Sequence, residues 1–82
     1  MPLKSIEGKT EEDAIEMFNI WELETSQDVA RDWQQKTLIN PRLPPPMFMV
    51  NIIKVEDVTF WSDREERNIL EGVRILFFYA RS

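Results

Sequence analysis

Residues 69–81 read Ile-Leu-Glu-Gly-Val-Arg-Ile-Leu-Phe-Phe-Tyr-Ala-Arg, and this stretch decides the fold. No charged residue stands between Arg74 and Arg81. β-Branched and aromatic residues dominate, as in a strand. In extended backbone Val73, Ile75, Phe77 and Tyr79 point one way, and Leu76, Phe78 and Ala80 point the other. Both sets are apolar, whereas a sheet with one wet face alternates apolar and polar.

Immediately before this strand, residues 62–68 are wholly polar and form a solvated connection. Ser62 with Glu65 three positions later resembles a capping box, which predicts one helical turn there. Further out, Met47 to Trp61 is a second strand without Gly or Pro, apolar on both parities up to Val55 except at Asn51. Its alternation slips, because Ile53 and Val55 have the opposite parity to Val58 and Phe60. A bulge near Glu56-Asp57 would return both sets to one face.

The N-terminal half reads differently. Thr10 is a good helix N-cap, followed by Glu11, Glu12 and Asp13 where the helix dipole favours anions. Ala14, Met17, Phe18 and Trp21 then fall at i, i+3, i+4 and i+7, one apolar helix face. Ile15, Ile20 and Leu23 lie off that stripe, so the helix is apolar on more than one side. The polar run Glu24 to Asp28, with Ser26 as a fresh cap, predicts two helices or a kink, over 11–23 and 27–38, with Val29, Ala30 and Trp33 as the second apolar face. Asn40-Pro41 ends the helical region, and Pro44-Pro45-Pro46 is a stiff connector. The bare P-x-x-P at Pro41–Pro44 has its Arg42 in neither orientation an SH3 ligand uses, which favours a spacer.

The predicted architecture is α+β: two N-terminal helices, or one kinked helix, packed on a C-terminal antiparallel hairpin. Residues 1–9 are a loose segment in which Leu3 and Ile6 suggest a short third strand. Residues 10–39 are helical, 40–46 connect, and 47–81 form the hairpin, all within one 82-residue domain.

Composition narrows the function. The chain has neither Cys nor His, which removes disulfides, the usual zinc ligands and the usual neutral-pH proton shuttle. Ser5, Ser26, Ser62 and Ser82 sit in no nucleophile context, and Gly8 and Gly72 cannot build a phosphate-cradling loop. Carboxylate pairs occur at Glu12/Glu16, Asp28/Asp32 and Glu56/Asp57 and read as solvated surface. The expectation is a non-enzymatic protein with no cofactor and no metal. Net charge is −5, with −6 in residues 1–32 and +1 in residues 33–82, which argues against nucleic acid as partner. Neither a signal peptide nor the roughly 20 apolar residues of a membrane span is evident, so a cytoplasmic protein that does not enter membranes is expected.

Two kinds of surface remain. Acidic residues Glu12, Glu16, Asp28 and Asp32, with Trp21 and Trp61 as aromatic anchors, predict a protein-binding module that occludes a partner. The two-sided hairpin predicts an oligomer, most simply a homodimer, through Val50, Ile52, Leu76 and Phe78. In composition, a small acidic α+β chain without enzyme residues, the protein resembles phage-encoded inhibitors of host or defence proteins, which implies a viral inhibitor or adaptor. No motif identifies a family. The alternatives are an oligomer that clamps a small anionic ligand between subunits with Arg64, Arg67, Arg74 and Arg81, and a structural subunit of a larger assembly.

Overall fold

The computed structural model describes residues 2–81, which form strand β1 (Leu3–Gly8), helix α1 (Glu11–Thr37), strand β2 (Phe48–Ser62) and strand β3 (Arg67–Arg81). The class is α+β. The sheet is antiparallel with order β1-β3-β2. Most of the segment expected to be loose is therefore an edge strand: Leu3 pairs with Phe78, Ile6 with Ile75 and Gly8 with Val73. That pairing makes β3 the central strand, the place its uniform hydrophobicity suits.

The helix starts where the sequence indicated. Thr10 has extended backbone and its Oγ1 accepts from the Asp13 N–H at 3.2 Å. The predicted break is absent, and α1 runs unbroken for 27 residues. Ser26 does not cap a second helix. Its hydroxyl donates back to the Leu23 carbonyl at 2.9 Å, so its polarity is satisfied within the first. The 24–28 run is polar for a different reason. Six residues of β1 span about 20 Å, 27 of helix about 40 Å, and the polar stretch lies where the helix outruns that strand.

The odd-numbered set on β3 is the buried one. Val73, Ile75 and Phe77 form the core with Ala14 and Phe18, and Ile6, Trp21, Val50 and Tyr79 pack around them. Phe18 meets Phe77 edge-on at 5.0 Å between ring centroids, and Trp21 lies 4.7 Å from Phe77 and 5.2 Å from Tyr79. Two glycines allow close approach at one end, Gly8 to the helix and Gly72 to the end of β1. A Cβ on Gly8 would lie 2.4 Å from the Ala14 nitrogen, and one on Gly72 would lie 2.4 Å from the Gly8 carbonyl oxygen.

The hairpin carries two bulges, neither at Glu56-Asp57. Ile53 is the extra residue between the Ile52–Phe77 and Lys54–Leu76 pairs, and Glu71 the extra residue between Val58–Gly72 and Thr59–Leu70. The first bulge brings Val55, opposite Ile75, onto the face of Val50 and Ile52. Residues 63–66 form the turn instead of a helical turn. Ser62 Oγ accepts from the Glu65 N–H at 3.3 Å, and Glu66 closes the turn in left-handed backbone at φ 52°. Beyond Val73 neither β1 nor the helix accompanies the hairpin, which continues as a two-stranded arm. The molecule measures 63 × 20 × 15 Å.

Candidate binding surfaces

Helix geometry separates the acidic residues the sequence grouped together. At 3.6 residues per turn, Glu12 and Asp28 differ in azimuth by about 160°. Glu12 and Glu16 line a shallow outer groove with Ile15, Asn19, Ile20 and Leu23. Ile15, Ile20 and Leu23 are 42%, 50% and 59% exposed. This outer strip opposes the Ala14-Phe18-Trp21 stripe that covers the sheet. Asp28 and Asp32 lie on the far half of the helix, paired with Arg31 at 3.5 Å and Lys36 at 3.0 Å. There the proline segment folds back. Trp33 Nε1 donates to the Leu43 carbonyl at 3.4 Å, and Pro44, Pro45 and Pro46 line a cleft with Val29 and Trp33. Leu43 and the prolines thus give the overhanging helix apolar cover.

The two candidate anchors also part. Trp21 is packed among Phe18, Phe48, Phe77 and Tyr79, with the Lys4 ammonium 5.5 Å from its ring centroid. Trp61 stands on the arm, 59% exposed, its Nε1 donating to Asp63 Oδ1 at 3.0 Å.

The four residues expected to form one oligomer patch fall on opposite faces. Val50 pairs with Tyr79 and Ile52 with Phe77 on the helix side, whereas Leu76 and Phe78 alternate onto the reverse. Among the described residues no element covers the reverse face. Along it run three bands. At one end lie Leu3, Met49, Leu76, Phe78 and Ala80, with Ser5 and Asn51 as the polar residues among them. At the other, on the arm, lie Val58, Phe60 and Ile69. Between them sits a charged cluster that sequence reasoning missed. Arg74 Nε donates to Glu7 Oε1 at 2.9 Å, Arg74 Nη1 to Glu56 Oε1 at 3.2 Å, and Lys54 Nζ meets Glu56 Oε2 at 3.0 Å. The hydrogen bond from Lys54, partly opposed by burial and reinforced by Arg74, holds the Glu56 carboxyl below its ordinary range. The hydrogen bond to Glu7, again partly opposed by burial, raises Arg74 further. The cue in the sequence was an Arg interrupting an apolar strand, but its partners stand 67 and 18 residues away.

The arginines expected to clamp an anion between subunits are spread along the chain. Arg67 and Arg81 cap opposite ends of β3, about 46 Å apart, and Arg67 is paired with Glu65 at 3.2 Å. Among the described residues no group of three or more acidic side chains is placed to hold a metal ion, and no helix is long and apolar enough to cross a membrane. Ser82 lies outside the described residues. The chain matches no protein-family model, no curated protein and no solved structure.

Proposed function

We propose that the protein is a non-enzymatic protein-binding module that works by occluding a partner, and that the outer face of α1 makes the contact. One observation carries this reading. The helix already buries one stripe against the sheet, yet exposes Ile15, Ile20 and Leu23 on the opposite side beside Glu12 and Glu16. A helix that only roofs a sheet has no need of aliphatics there. Apolar contact supplies affinity, and the carboxylates favour a partner with a basic rim and speed its encounter. Trp61, exposed at the far end of the molecule, is a second contact point.

The test is binding by outer-face variants. The chain, immobilised through its C terminus, is used to retain proteins from extracts of its source cells, and the retained protein is titrated against wild type, Glu12→Lys/Glu16→Lys and Ile20→Ser/Leu23→Ser. The expected result is a loss of about tenfold or more in affinity for each pair, steeper in low salt for the charge reversal. Binding unchanged by both pairs removes the helix from the function.

A further inference from the structure

We propose that the uncovered face of the sheet is the two-fold interface of a homodimer, in which the arm of each copy lies across the body of the other. This goes beyond the partner-binding reading and uses a different surface.

The first argument is area. The chain exposes 6556 Å², whereas a folded monomer of its mass exposes about 5,200 Å². Its radius of gyration is 17.9 Å, against about 12 Å for a compact domain of this length. The excess surface, about 1,400 Å², is more than the about 800 Å² that each partner gives up in an interface of standard size. An isolated two-stranded ribbon is at best marginal in water, and this one carries Val58, Phe60 and Ile69 on the uncovered side.

The second argument is the order of the bands, which selects another copy as the occupant. An isologous interface must be complementary to itself. Here an apolar band, a charged band and a second apolar band follow one another along the strands. Arg74, in the charged band, is the middle residue of the fifteen in β3. A two-fold axis through Arg74 and across the strands turns the arm band of one copy onto the body band of the other. Phe60 pairs with Ile69, four ladder pairs from Glu56–Arg74 because Glu71 is bulged out. Four pairs beyond Arg74 the other way is Asn51–Phe78. The charged bands then meet across the axis, and each holds two acids, Glu7 and Glu56, and two bases, Lys54 and Arg74. A cluster with no net charge meets its own copy without repulsion, and the Arg74–Glu56 pair can exchange partners between copies.

Sedimentation equilibrium of the full chain across the micromolar range tests this. The expected mass is twice that of the chain. Phe60→Glu halves it, while Trp61→Glu, the next residue but on the opposite face of the arm, leaves it doubled. Both side chains are exposed, so neither change disturbs the core, and circular dichroism checks the fold of each. The chain has no Cys, so a Phe60→Cys/Phe78→Cys variant reports directly. The two positions lie about 30 Å apart within one chain and can oxidise only between chains, giving a covalent dimer on a non-reducing gel. A monomeric wild type, a dimer indifferent to Phe60→Glu, a dimer lost to Trp61→Glu, or the absence of the cross-link overturns the proposal. None of these outcomes depends on the helix's outer face.

Discussion

The two halves of β3 are made of the same material and meet opposite fates. From Val73 to Tyr79 the strand has a neighbour on each edge and a helix above. From Arg67 to Glu71 it has one neighbour and no roof. Phe77 is fully buried, and Leu70, seven residues earlier on the same strand, is 58% exposed. Hydrophobicity alone selected both as strand. What separates them is reach: β1 ends at Gly8, the helix begins at Glu11, and cover stops there. An apolar residue marks a surface that must be hidden, while the lengths of the neighbouring elements decide whether the chain itself hides it.

The contrast can be broken most forcefully at Phe77. Phe77→Ala removes the ring that Phe18 and Trp21 pack against and costs about 4 kcal/mol in urea unfolding, a large share of the stability of a domain this size. Leu70→Ala costs under about 1 kcal/mol, and equal costs would mean that the arm is as well covered as the body. Next comes the seam between the halves. Gly8→Ala pushes a methyl into the Ala14 backbone, which can move only with the helix, and costs about 3 kcal/mol. At the tip, Glu66→Gly relieves left-handed backbone that a side chain disfavours and stabilises by about 0.5 to 1 kcal/mol. A loss there would show that the turn is not strained.

Two smaller effects sharpen the picture. Ser26→Ala changes stability by no more than a few tenths of a kcal/mol in an unbroken helix, whereas removing a true N-cap costs about 1 kcal/mol. Calorimetry distinguishes the two. The charged band between the halves gives the last. Because the Glu56 carboxyl sits below its ordinary 4.5, the folded state binds that proton less readily than the unfolded state. The stabilisation is therefore present above about pH 4.5 and lost as pH falls through the folded value. The Tm gap between wild type and Glu56→Gln should close in that acid window, and a gap independent of pH would remove the carboxylate as its cause.

Much of this was readable in the residues, and the failures share a cause. Local signals placed the helix cap at Thr10 and the two long strands, because local backbone chemistry fixes these, whereas both parities of β3 are apolar and only the packing of the helix chose the buried one. The continuous helix was obscured because Ser26 has two ways to satisfy its hydroxyl, and only the surroundings choose between them. The bulge at Ile53 was displaced because the register is set by pairing with β3, not by β2 alone. The Gly8–Gly72 contact and the Arg74 cluster join residues more than 60 positions apart, and nothing local announces such a meeting. The same holds for the candidate site. Trp21 and Trp61 look alike on paper, and the fold packs one half-buried ring among aromatics and leaves the other in solvent.

The overhang at each end has a hydrodynamic consequence. A rod of 63 × 20 × 15 Å drags more water than a sphere of equal mass, so its diffusion is slow and its tumbling anisotropic even when it is alone. Two such rods laid side by side in opposite directions gain thickness far more than length. On association the forward scattering should double, while the longest vector in the particle grows little.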